Sequence, residues 1–170
     1  LKLAGREFLF LDAPGHARHH LCMVDSRTGH VFCGDTFGLS YRELDRDGRQ
    51  FVFPSCTPVQ FDPEALHASI DRILSYAPRA VYVTHFGERV NVVRLGEELK
   101  SRLDETVTLA RGLAQDPERG PKLRERLFAT VLRWLDGHGW RGPESAVREV
   151  WGLDIELNAQ GLEVWLDRAR

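Results

Sequence analysis

Cysteine is scarce in this chain of 170 residues: Cys22, Cys33 and Cys56 are odd in number and include no Cys-x-x-Cys pair. That argues against a disulfide framework or a zinc ribbon and suits a reducing cytoplasm. No run of about 18 apolar residues occurs, so no membrane span is expected. The opening Leu-Lys-Leu-Ala-Gly lacks the basic, apolar and small-residue succession of a signal peptide, so no export signal is expected either. Basic clusters are missing as well. With a formal net charge of -2, a pI near 6.4 and no long Lys/Arg-rich run, nothing advertises a phosphate-binding surface, and nucleic acid is not an expected partner. Internal repeats and low-complexity segments are absent. What is there is ordinary: 42% hydrophobic and 28% charged residues, in a chain long enough to bury a real core.

Up to about residue 90 short apolar runs alternate with turns, as sheet proteins do. Residues 7–11 form a strand candidate that ends at the Pro14-Gly15 turn, and residues 21–25 and 30–33 flank Ser26-Arg27-Thr28-Gly29 like the arms of an antiparallel hairpin. Asp62-Pro63 supplies an N-cap with proline at the first helical position, and Leu66, Ile70, Ile73 and Leu74 follow at helical spacing as far as Pro78. Residues 79–84 read as another strand. A strand, a capped helix and a strand predict an α/β core with helices on one face of a sheet. The first strand has no lead-in, so the chain is expected to begin inside a domain.

Beyond Val90 the pattern changes. Val92, Leu95, Leu99, Leu103, Val107 and Ala110 form an apolar stripe at steps of three and four, which predicts a long amphipathic helix. Breaks at Asp116-Pro117 and Gly120-Pro121 precede a second helix through Leu123, Leu127, Val131, Trp134 and Leu135, stopping at Gly137-His138-Gly139. Residues 143–151 and 154–166 read as two shorter helices. The expected organisation is a partial domain over 1–92 and an all-helical extension over 93–170.

Chemistry is concentrated in three places: Pro14-Gly15-His16 with His19 and His20 close behind, Phe32-Cys33-Gly34-Asp35, and Thr84-His85. Each sets a potential metal donor where a strand candidate gives way to a turn. Neutral imidazole nitrogen and carboxylate oxygen on strand ends suit zinc or iron, because rigid strands fix the donor angles. Each donor has a plainer alternative: His16 as a surface turn histidine, Asp35 as a turn residue after Gly34, His85 as a strand-end cap. His20 divides between supporting a ligand and packing in a strand. His19, His30, His67 and His138 read as solvated or structural, Cys33 as a small buried apolar residue, and Cys56, in the loop Pro54-Ser55-Cys56-Thr57-Pro58, as either near a pocket or, more simply, without chemistry. Aromatic residues in 36–41 and 51–54 either select the substrate or else cover the sheet edge or pack on the helical tail, and the four tryptophans read as core and interface anchors.

Taken together and in this order, the three motifs resemble the metallo-β-lactamase superfamily, in particular its glyoxalase II-like hydrolases, over roughly residues 5–90. The resemblance implies the C-terminal ββα half of an α/β/β/α sandwich. It implies His16 on a first metal, Asp35 bridging two metals and orienting the attacking hydroxide, and His85 on the second, with His20 in support. Zinc is the implied metal, two ions per complete site, with iron or manganese compatible with the same donors. The implied reaction is hydrolysis of an ester, thioester, lactone or related bond in a small-molecule substrate.

The departures carry equal weight. The superfamily's His-x-His-x-Asp-His run occurs nowhere in these 170 residues, which leaves each metal two donors where catalytic zinc usually has three. Arg18-His19 also stands where relatives often carry small residues. The chain by itself is therefore expected to hold metal poorly and to be inactive. The intact gene product is expected to be longer at its N-terminus, with the missing half of the fold as partner and the tail packed beside the domain or pairing two copies. The alternative is a noncatalytic binding or oligomerisation module with a vestigial metal site.

Overall fold

Six strands lie side by side in chain order in a computed structural model that describes residues 1–168. They are β1 (Lys2–Leu3), β2 (Arg6–Asp12), β3 (Leu21–Asp25), β4 (His30–Gly34), β5 (Ala80–Val83) and β6 (Gly87–Arg89). All neighbours are antiparallel except β4 and β5. That parallel pair follows from the long excursion between them, which contains a short 3-10 turn (Arg42–Leu44) and helix α1 (Pro63–Ser75), since parallel strands need a crossover of a dozen or more residues. The β3–β4 hairpin is pinned by buried Asp25, which takes the Arg6 guanidinium, the Thr28 hydroxyl (2.7 Å) and the Arg27 amide (3.1 Å). These donors hold the Asp25 carboxyl well below the usual carboxylate range.

Strand register sorts the side chains onto two faces. Val24, Val31 and Val81 align across β3, β4 and β5, and all are buried. The adjacent row, Phe10, Met23, Phe32 and Tyr82, runs across β2 to β5 on the opposite face. There Phe10 is 48% and Phe32 38% exposed, and Tyr82 stacks on Phe32 at 5.0 Å. One face of the sheet belongs to the core and the other carries an open aromatic row.

Asp62 caps α1 as its sequence implies, accepting the Ala65 amide at 3.0 Å. Its buried Leu66, Ile70 and Ile73 lie on the side that joins the core, and α1 packs on α2 (Val92–Gly112). Helices α3 (Arg119–His138) and α4 (Glu144–Arg168) complete the chain. Two expectations need correction. Gly120-Pro121 lies inside the first turn of α3 instead of before it, because the first amides of a helix have no partner there and proline's missing N–H costs nothing. Residues 143–151 and 154–166 join in the single helix α4: Gly152 in its interior costs about 1 kcal/mol, and burial of Trp151 and Ile155 on either side outweighs that.

The tail shares its core with the sheet. Fully buried Trp151 sits against Phe53 (4.6 Å), Phe51 (5.4 Å) and Tyr41 (5.9 Å), so the aromatics of the loop after β4 turn inward onto α4. One continuous apolar cluster runs from Leu11 and Val31 to Leu162 and Leu166. No helix among the described residues is long and apolar enough to cross a membrane.

Candidate metal centre

His16, Asp35 and His85 meet at one end of the sheet's strands. His16 follows the Pro14-Gly15 turn after β2, Asp35 leaves the end of β4, and His85 stands in the turn between the parallel partner β5 and β6. The first two positions depend on glycine. Gly15 has φ +128°, and a Cβ on it would lie 2.3 Å from the Leu66 backbone, so α1 packs directly on this turn. Gly34 has φ +53°, and a Cβ there would reach 2.5 Å from His20 Nε2.

The Asp35 carboxylate lies between the two imidazoles: Oδ2 is 3.6 Å from His16 Nε2 and Oδ1 is 3.6 Å from His85 Nε2. These separations are too long for hydrogen bonds. Two ligands of one tetrahedral zinc, on arms of about 2.0–2.2 Å, stand roughly 3.3–3.5 Å apart, close to what is seen. Asp35 Oδ1 is moreover buried with no hydrogen-bond partner, a costly state that a cation beside it would relieve. Imidazole nitrogen and carboxylate oxygen are donor types that suit a divalent cation, and this chain brings three such side chains together. Among the described residues no group of three or more His, Cys, Asp or Glu side chains is placed to hold a metal ion.

The surroundings of the two histidines differ. His16 is largely buried, and its Nδ1 lies 3.0 Å from Ser55 Oγ and 3.4 Å from Thr57 Oγ1, which leaves Nε2 facing Asp35. Burial lowers its pKa, while Asp35 and a backbone hydrogen bond to Ser55 pull the other way. His85 is 48% exposed, and its ring has no hydrogen bond among the described residues. The turn that carries it is held instead through its backbone: buried Arg89 donates from Nη2 to the carbonyls of Phe86 (3.0 Å) and Ser40 (3.1 Å), tying the His85 turn to the loop after Asp35.

His20 supports Asp35. The Asp35 amide donates to His20 Nε2 (3.1 Å), so the ring proton sits on Nδ1 and is donated to Thr36 Oγ1 (2.9 Å), whose own proton goes to the Ala13 carbonyl. This chain of bonds links the His16 turn to the Asp35 turn. Arg18 does not approach the donors: its amide donates to Gln60 Oε1, and its side chain lines a cavity of about 400 Å³ with Phe61, Arg111, Trp165 and Arg168. His19 is exposed, His30 packs on Tyr82, His67 pairs with Asp71, and His138 is buried against Phe51 with Nε2 near the Arg49 carbonyl. All three cysteines are free and buried, and burial pushes the Cys56 thiol up.

Sequence reasoning passed over Ser55, Thr57 and Arg89. The one available signal was the loop Pro54-Ser55-Cys56-Thr57-Pro58, bracketed by prolines; its cysteine drew attention, whereas its hydroxyls face His16.

No family model and no curated protein sequence matches this chain. Solved structures do. A metallo-β-lactamase family protein from Thermus thermophilus superposes with a TM-score of 0.63 at 19% identity, covering 99% of this chain and 46% of that one. An archaeal metallo-β-lactamase superfamily protein from Sulfolobus tokodaii gives 0.55 at 21% identity, covering 95% and 48%. The chain has a partial metallo-β-lactamase fold with a helical tail, and it spans slightly less than half the length of these two structures.

Proposed function

We propose that this chain is the C-terminal half of a metal-dependent hydrolase of the metallo-β-lactamase superfamily, acting on an ester, thioester, lactone or related bond in a small molecule. The observation that carries the reading is the Asp35 carboxylate, with an imidazole nitrogen 3.6 Å from each oxygen and one oxygen buried without a partner. His16, Asp35 and His85 would hold a pair of ions, zinc in the first instance. A bound pair would supply a hydroxide at neutral pH and a Lewis acid for the scissile oxygen. Asp35 keeps its two oxygens aimed at the two imidazoles because His20 holds its amide, and Ser55 and Thr57 set the ring of His16.

With two donors per ion, the site depends on further donors from the other half of the fold. The open row of Phe10, Met23, Phe32 and Tyr82 is the surface that this half would cover, since exposed aromatics on a sheet face are stabilised by burial. The free, buried cysteines support a cytoplasmic setting. The same shortage of donors favours a second reading, a noncatalytic module whose metal site is vestigial.

Metal content by plasma mass spectrometry separates the two. The polypeptide of full natural length, purified under zinc-replete conditions, is expected to carry near-stoichiometric metal, and Asp35→Asn to lose it with the fold intact. A full-length protein that stays metal-free overturns the hydrolase reading and favours the module.

A further inference from the structure

We propose that Asn158, on helix α4 of the tail, is a positioning residue for His16. It clamps the backbone on both sides of Ser55, fixes Ser55 against His16 Nδ1, and so keeps His16 Nε2 free to face Asp35. The purpose of the device rests on the metal-centre reading above; its geometry does not.

The segment between Phe53 and Pro58 is buried but belongs to no strand, so its peptide groups need partners from elsewhere. Asn158 supplies them. The Cys56 amide donates to its Oδ1 at 2.7 Å, and its Nδ2 donates to the Pro54 carbonyl at 2.9 Å. An amide N–H can only donate and a carbonyl can only accept, so both ends of the side chain are assigned without ambiguity. The two bonds straddle Ser55, as a neighbouring strand would. Asn158 itself is 1% exposed, which makes each bond expensive to lose.

Three residues further along α4, Gly161 brings the helix against the same loop: a Cβ there would fall 1.7 Å from the Cys56 carbonyl oxygen. The contact leaves the loop no room to shift toward the tail. Ser55, 1% exposed, is thereby held with Oγ 3.0 Å from His16 Nδ1. With Nδ1 engaged there, Nε2 is the ring nitrogen that faces Asp35, and a proton on Nδ1 with a lone pair on Nε2 is the form a metal ligand requires. A purely structural asparagine would satisfy the same backbone groups without any effect on the tautomer of His16.

The test is the tautomer of the His16 ring, read by nitrogen and carbon NMR on the full-length protein stripped of metal by chelation. In the wild type the proton is expected on Nδ1. In Asn158→Ala it is expected to redistribute toward Nε2, with the rings of His30 and His67 unchanged, and Ser55→Ala should reproduce the shift. Asn158→Asp is the near-isosteric substitute should the alanine variant not fold, because it keeps the acceptor for Cys56 and loses the donor to Pro54. Gln160→Ala, on the exposed side of α4, should leave the ring as in the wild type. Zinc affinity should fall about 10- to 100-fold in the Asn158 variants. A His16 tautomer that stays on Nδ1 in a folded Asn158 variant overturns the proposal, as does an equal shift in Gln160→Ala. A wild type that takes up no zinc sinks the metal-centre reading alone, since the ring measurement still decides the clamp.

Discussion

His16 and His85 stand at the same distance from Asp35, yet they are built in opposite ways. The ring of His16 is largely buried and touches two hydroxyls, which hang from a loop clamped by the tail. The ring of His85 is half exposed on a short turn, and only the backbone around it is held, by Arg89. A side chain fixed by packing and hydrogen bonds is placed before any ligand arrives; one on an open turn acquires its place from what binds or docks there. The His16 ring is therefore held within this chain, and the His85 ring is not.

The most severe way to break this asymmetry is to loosen the tail. Trp151→Ala removes a fully buried ring from between Phe51 and Phe53 and should destabilise the chain by about 3–5 kcal/mol in urea denaturation. Where the variant still folds, protection of amides in residues 51–57 against hydrogen exchange should drop first, with the β5–β6 turn little changed.

A direct comparison follows from truncating each imidazole in metal-free protein. His16→Ala strands the buried hydroxyl of Ser55 and should cost about 1–2 kcal/mol. His85→Ala removes an exposed ring without hydrogen bonds and should change stability by no more than about 0.5 kcal/mol. Both should abolish metal retention. Equal stability losses in chemical denaturation would show that the asymmetry is not real.

The last effect lies away from the centre and serves as its control. The depressed pKa of Asp25 means that the unfolded chain binds its proton more readily than the folded one. Its contribution is fully present above the ordinary aspartate value of 3.8 and is lost as pH falls toward the folded pKa. Asp25→Asn should flatten the stability profile below about pH 4.

Much of this was legible locally. The hairpin over residues 21–33, the Asp62-Pro63 helix start and the apolar stripe of α2 follow from period and capping, because strand alternation, N-cap chemistry and helical spacing each act within a few residues. The tail was read less well. Gly152 and Gly120-Pro121 carry breaker signals, but burial of the flanking side chains and the tolerance of a helix's first turn override them. The candidate donors were legible as types at strand ends, since Pro-Gly-His, Gly-Asp and Thr-His each mark a strand giving way to a turn. Their supporting residues were not. Ser55 and Asn158 are ordinary polar residues in their own stretches of sequence, and nothing nearby says that they meet.

The sequence by itself determined the local elements, the glycine-dependent turns and the kinds of donor available, all of which depend on neighbours along the chain. Only the tertiary structure decided that one carboxylate lies between two imidazoles, that one oxygen of it is buried without a partner, and that the tail reaches back to set the ring of His16. Those facts come from segments joined by a parallel crossover and a shared core, where contacts span more than a hundred residues and no local pattern records them.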